Sequence, residues 1–266
     1  MSEQIKLNLD RLLPTELDYY VLLDFDRCIA NTERLQSILE EVVSRHSFIK
    51  PRDMQMARRN SQQTAGSFDT ASWLKQRLDE AGQPELWQKI ANDFVASSLE
   101  QNQSSDSEVL MPGARQLIDQ LKARQIPYGF LTFGSYDWQV TKLRAAGQAN
   151  IPQMIVDKKE KGRFISSWQQ DDKFLLPIEL SMINRSTLVK HLAFLDDKPD
   201  SFIGAPPIEN NNMCLIHVKD PSGSVVKSQR GNVPPGVTTV LGLAAAQEKL
   251  FNHYHSVVAS WPIDIS

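Results

Sequence analysis

The run Tyr19-Tyr20-Val21-Leu22-Leu23 constrains this chain most, because it leads directly into Asp24-Phe25-Asp26. A strand apolar on both faces belongs inside a parallel sheet covered by helices. Its acidic end then lies at the carboxyl edge of that sheet, where open α/β folds place their ligand sites. Alone, the two acids read equally as a solvated strand end.

The segment from Asn31 to Ser107 has a different rhythm. Leu35, Ile38, Leu39, Val42 and Val43 recur at helical spacing, as do Trp73, Leu74 and Leu78, and then Leu86, Ile90, Phe94 and Val95. No strand pattern interrupts them. The spacing predicts a helical insert, closed by the polar stretch 101–107. The α/β alternation then resumes. A helix is expected through Leu117, Ile118 and Leu121. A strand over Tyr128–Leu131 ends at Thr132, and a helix follows through Gln139 to Ala146. Further strands are expected over Ile151–Val156, over Leu192–Leu195 ending at Asp196-Asp197, and over Met213–Val218. Such alternation predicts a doubly wound parallel sheet. The Gly-, Pro- and Ser-rich stretch Asp220–Gly236 reads as a loop.

The 266 residues suffice for one large domain, or for a core with an insert. A net charge of −3, from 29 basic and 32 acidic residues, offers no global attraction to nucleic acid or anionic membrane. Cys28 and Cys214 make no disulfide framework and no paired zinc motif. Residues Met1 to Pro14 lack a signal-peptide apolar region, and no stretch approaches the roughly 20 apolar residues of a membrane span. A cytoplasmic location is the expectation.

Three strand ends therefore hold a consistent set: Asp24/Asp26, Thr132 and Asp196/Asp197. In order, these lie in LLDFDRCIANTE, YGFLTFGS and LAFLDDKPD. The set resembles the haloacid dehalogenase-like hydrolase superfamily over Tyr19–Asn31 and Leu110–Val218. Its motifs are an apolar strand before DxDx(T/V), a strand ending in Thr or Ser, and a strand ending in paired acids. The resemblance implies a Rossmann-like core over residues 1–30 and 108–266, with a helical cap over 31–107.

The chemistry fits these residue types. Phosphoryl transfer needs an in-line attacker, a cation and a proton donor. Asp24 is placed to attack and form an aspartyl-phosphate. Asp26 is placed to protonate the leaving oxygen and later accept a proton from water, which requires a raised pKa. Asp24, Asp196 and Asp197 form an oxygen-only set suited to Mg²⁺. The resemblance adds the backbone carbonyl of Asp26 as a metal ligand. Thr132 would hydrogen-bond the phosphoryl group, with the amides of Gly134 and Ser135 as an anion nest.

The resemblance also implies a lysine that binds the phosphate and the nucleophile. Lys161, just past a strand end and opening an amphipathic stretch, is preferred over Lys158, Lys159 and Lys173. Three positions depart from the family pattern. Arg27 stands at the frequent Gly, Cys28 at the usual Thr or Val, and Asn31 where many capped members have Asp. Arg27 is expected at the substrate entrance, and Cys28 to act as a small apolar residue.

Other features take ordinary readings. Lys50, Arg52, Arg58 and Arg59 read first as a solvated face and second as a grip on an anionic substrate. Trp73 and Trp87 read as insert core, Asp200 as a turn residue, and the five histidines as surface or core residues. The tail, with Phe251, Tyr254 and Trp261, is expected to pack on the core. The function implied is magnesium-dependent hydrolysis of a small phosphorylated substrate. Alternatives are a phosphomutase, a phosphonatase using a cap lysine such as Lys50 or Lys75, or a non-catalytic phosphate-binding scaffold. A receiver-like signalling module is disfavoured, because there the paired acids precede the phosphorylated Asp.

Overall fold

The computed structural model describes residues 14–63, 68–103, 109–181, 185–207, 212–221 and 232–258. Strand β1 (Thr15–Leu23) contains the expected run and extends back to Thr15. Its first half alternates in burial and its second half is wholly buried, because only that half is covered on both faces. Tyr19, Val21 and Leu23 enter one hydrophobic layer, while Tyr20 and Leu22 enter the other. This is the two-residue period of a strand.

β2 (Tyr128–Phe133) and β6 (Thr187–Asp196) flank β1 in parallel, with Leu23 opposite Phe130 on one side and Leu195 on the other. β3 (Gln153–Val156) lies outside β2. β7 (Met213–Lys219) and then β8 (Thr238–Leu241) lie outside the upper half of β6. All these pairings are parallel, as expected. The lower half of β6, Thr187 to Val189, instead pairs antiparallel with β5 (Lys173–Leu176), which carries the short β4 (Gln169–Gln170). That antiparallel pair is a departure from the all-parallel expectation.

Between β1 and β2 the chain forms α1 (Thr32–His46), α2 (Pro51–Gln63), α3 (Thr70–Glu80) and α4 (Leu86–Asn102). Asn31 starts α1 by accepting from the Arg34 amide at 3.0 Å, an N-cap role that Asn and Asp share. Asp69 caps α3 in the same way at the Ser72 amide. Leu35, Ile38, Leu39, Val42 and Val43 are all buried, and share a core with Leu74, Leu78, Ile90 and Phe94. The expected close of the insert at 107 lies outside the described residues.

The remaining helices are α5 (Ala114–Ala123), α6 (Tyr136–Ala145), α7 (Lys161–Ser167) and α8 (Gly242–Val258). Helix α8 begins earlier than the tail expected from Leu250, and buries Leu243, Ala246, Leu250 and Phe251. Tyr254 meets Tyr19 edge-on, at 5.2 Å between ring centroids. Trp261 and the centre of the 220–236 stretch lie outside the described residues.

Candidate active site

Neighbouring strands β2, β1 and β6 run parallel, so their carboxyl ends open on one edge of the sheet. The Asp24 amide donates to the Leu195 carbonyl at 2.8 Å, which ties the residue after β1 to the end of β6. Asp24, Thr132, Asp196 and Asp197 are all buried. Carboxylate oxygens of Asp24, Asp196 and Asp197 lie within 4.8 Å of one another. Burial, with Asp196 alongside, pushes the Asp24 carboxyl up to about 8, against the pull of Lys161 and Lys198. Crowded acids of this kind are an oxygen-only donor set for a hard divalent cation.

Lys161, the first residue of α7, reaches into the cluster. Its Nζ donates to Asp24 Oδ1 and, at 2.6 Å, to Asp196 Oδ2. Burial opposes its charge, but the two carboxylates outweigh burial and raise its pKa. The rival lysines are elsewhere. Lys173 pairs with Glu16 at 2.9 Å, and Lys159 lies over the Phe133 ring at the rim. Lys158 is exposed. Among the described residues, Asp24 Oδ2 and Thr132 Oγ1 in and beside this cluster are buried without a hydrogen-bond partner. Buried polar groups are almost always satisfied, so this pair fits a bound oxyanion or cation.

Asp26 differs from expectation. Its carboxylate accepts from Lys142 Nζ on both oxygens, from Gln139 Nε2 at 2.8 Å and from Thr32 Oγ1 at 3.0 Å. Burial alone would raise its pKa. The Lys142 charge, with the Lys142 and Gln139 hydrogen bonds, outweighs burial and holds the carboxyl below the usual carboxylate range. The raised pKa expected for Asp26 is therefore corrected. For Lys142 the balance runs the other way: burial lowers its pKa despite Asp26.

Gly134 is also corrected. Its amide donates to the Val156 carbonyl at 3.1 Å, so it is already committed within the protein. Its φ of 148° favours glycine, and a Cβ there would stand 2.7 Å from Gln139 Nε2. The residue makes room for Gln139. Ser135 takes the N-cap position of α6.

Arg27 lines the cavity beside Asp26, with φ of 62°. The Gly common at this position would suit that backbone better. Its amide donates to the Ala30 carbonyl at 2.9 Å, and its Nε pairs with Glu33 at 2.7 Å. Cys28 is buried in the apolar core, and burial with Asp24 and Asp196 raises its pKa well above normal. Asp200 accepts at its carbonyl from the Ile203 amide in a turn.

Sequence reasoning missed Thr32, Gln139, Lys142 and Lys198. Gln139 and Lys142 are three apart on α6, a spacing that puts them on one helix face, but spacing does not say which face turns inward. Lys198 follows the paired acids directly, and they raise its pKa against burial. A cavity of about 320 Å³ opens beside Asp26 and Lys198, with Arg58, Phe68 and Thr70 of the insert in its wall.

The fold is that of the haloacid dehalogenase-like hydrolases. A crystal structure described as a hydrolase of this type, from Burkholderia xenovorans, superposes with a TM-score of 0.56 at 14% identity, covering 89% of this chain and 98% of its own. A HAD hydrolase of Bacillus subtilis bound to magnesium gives 0.46 at 16% identity, over 88% and 98% of the two chains. CbbY of Rhodobacter sphaeroides in complex with xylulose bisphosphate gives 0.44 at 14%, over 84% and 94%. No family model and no curated protein matches the chain. Among the described residues, no helix is long and apolar enough to cross a membrane.

Proposed function

We propose that the chain is a magnesium-dependent phosphatase that hydrolyses a small phosphate monoester through an aspartyl-phosphate on Asp24. One observation carries this reading: Asp24 Oδ2 and Thr132 Oγ1 are buried without partners among the described residues, at the ends of adjacent parallel strands, beside two further acids and a buried lysine.

Lys161 fixes Asp24 Oδ1, which leaves Oδ2 to attack phosphorus. Thr132 Oγ1 and Lys161 hold the phosphoryl oxygens. As the Oδ2–phosphorus bond forms, the bond to the ester oxygen breaks, and that oxygen takes a proton from the Asp26–Lys142 pair. The proton resides on Lys142 Nζ, hydrogen-bonded to Asp26, so the acid is the pair. In the second step water attacks phosphorus, returns a proton to the pair, and releases phosphate and Asp24. Magnesium, held by Asp24, Asp196, Asp197 and the Asp26 backbone carbonyl, would supply charge neutralisation worth several kcal/mol. Residues 31–107 form the cap in this reading and 1–30 with 108–266 the core, with the insert excluding water when substrate is bound.

The test is phosphate release from a panel of esters with Mg²⁺, with acid-quenched samples analysed for covalent phosphate. Asp24→Asn is expected to abolish both signals. Full metal-dependent turnover by that variant would sink the reading.

A further inference from the structure

The cavity wall carries more cationic side chains than the mechanism uses. Arg27 Nε pairs with Glu33 at 2.7 Å, and Arg58 Nη2 with Glu40 at 2.8 Å. Lys142 is taken by Asp26, and Lys159 is exposed over the Phe133 ring. Lys198 stands apart from these. It is half-buried and lines the wall with Asp26, Gly134 and Ser135, and among the described residues it makes no direct ion pair. Burial opposes its charge, while Asp197, Asp24 and Asp196 favour it from beyond direct contact. Asp200 lines the same wall, but it is exposed, where water and salt screen it.

The backbone of Lys198 is held. Its amide donates to Asp196 Oδ1 at 2.8 Å, and its carbonyl accepts from the Ser201 amide at 3.1 Å. Pro199 restricts it to extended backbone, and it adopts φ of −115° and ψ of 126°. The freedom left is in the side chain, a four-carbon stem with three rotatable donors.

The charge around Asp24 gives that freedom a use. Lys142 is spent on Asp26, and Lys161 is divided between Asp24 and Asp196. A phosphoryl group at Asp24 adds negative charge that these two ammoniums do not cover. Preorganised cations are what meet the charge on a transferring phosphoryl group. The Lys198 ammonium and a divalent cation among Asp24, Asp196 and Asp197 would repel each other, which turns the ammonium toward an anion.

We propose that Lys198 is a further catalytic residue, its ammonium balancing the acidic cluster before a divalent cation binds and taking a phosphoryl oxygen once one has. The place of the phosphoryl group rests on the phosphatase reading above.

The experiment is calorimetric titration of Mg²⁺ alone, and then of inorganic phosphate at saturating Mg²⁺. Wild-type protein, Lys198→Met, Lys198→Gln, Lys198→Arg and Lys159→Met are compared, each checked for folding by circular dichroism. Lys198→Met should bind Mg²⁺ about tenfold more tightly, because a repelling charge is gone. It should bind phosphate about tenfold more weakly, because a charged donor is lost. Lys198→Gln is read in the same way where the methionine variant does not fold. Lys198→Arg keeps the charge and should stay within about threefold of wild type for Mg²⁺. Lys159→Met should move neither affinity by more than about twofold. Opposite shifts in one variant separate this role from a merely structural one, which would weaken both affinities. Phosphate affinity unchanged in the neutral Lys198 variants, Mg²⁺ affinity lowered in them, or phosphate affinity lost through Lys159 instead, overturns the assignment and leaves the phosphatase reading standing. These shifts without turnover of any ester would sink the phosphatase reading alone. No binding of Mg²⁺ or phosphate to the wild-type protein overturns both.

Discussion

The ammonium of Lys142 donates to both carboxylate oxygens of Asp26, 2.6 Å from Oδ2. Both side chains are largely withdrawn from solvent, at 3% and 17% exposure. Removing the cation leaves the acid in a low-dielectric site, with Gln139 and Thr32 as its remaining donors among the described residues. Lys142→Met is therefore expected to lower the unfolding free energy by about 3 kcal/mol. Adding Asp26→Asn should recover part of that loss, because the uncompensated charge is gone. Urea titrations of the three variants measure this; a loss below about 0.5 kcal/mol would show that the pair is not buried in the working protein.

Gly134 makes a sharper prediction than its neighbours. An alanine there meets both an unfavourable backbone φ and Gln139 Nε2 at 2.7 Å. Gly134→Ala should destabilise the protein by about 2 kcal/mol. It should also lower kcat more than it changes KM, because Gln139 is pushed from Asp26. A variant with wild-type melting and wild-type kcat would show that the close approach is relieved without consequence.

Divalent cation should stabilise the folded chain, because the unfolded chain has no assembled acidic cluster. At a concentration about 100 times Kd, the gain is about 2.7 kcal/mol. Melting curves with Mg²⁺ and with a chelator report it, and Asp197→Asn should remove most of the difference. Identical curves in the wild-type protein would contradict the cation site.

High pH should unfold the protein through its buried phenols and a buried thiol. Burial raises the pKa of Tyr19 and Tyr20, and lifts Tyr128 to about 12 and Cys214 to about 11. In the unfolded chain tyrosine ionises near 10 and cysteine near 8.5. Raised folded pKa values mean the folded state binds protons more tightly, so this stability is complete below those unfolded values. It is lost as pH rises through them toward the folded values. The melting temperature should fall steeply above about pH 10, over and above the change that the raised Asp24 carboxyl contributes as it ionises around pH 8. A melting temperature still unchanged at about pH 11 would show that these phenols and the Cys214 thiol do not hold their protons more tightly in the folded chain.

The centre of the sheet was legible because β1, β2, the upper half of β6 and β7 are near-continuous apolar runs, the signature of strands covered on both faces. β5, β8 and the lower half of β6 were not. β8 alternates half-buried and exposed residues at an edge, and Thr187–Lys190 carries polar residues because that end of the sheet is thinly covered. Within the site, Asp24, Thr132, Asp196 and Lys161 were readable because each sits at a strand end or just past one. Asp26 was readable as an acid, but its protonation was not. That depends on Lys142, 116 residues away, and on which face of α6 turns inward. The same gap hid the fate of the Gly134 amide, since its partner Val156 belongs to a different strand.

Helix α6 has two attachments one turn apart. Trp138 packs on Phe94 of the insert, with ring centroids 5.7 Å apart, and Lys142 grips Asp26 while lying 5.6 Å over the Trp138 ring. Lys75 of α3 adds an ion pair to Asp137 on the same helix. The insert and the Asp26–Lys142 pair are thus coupled in series through one short rod. A tilt of α4 that repacks Trp138 would also move the anchor of the Asp26 clamp, so under the proposed mechanism a movement of the insert would be felt at the proton donor.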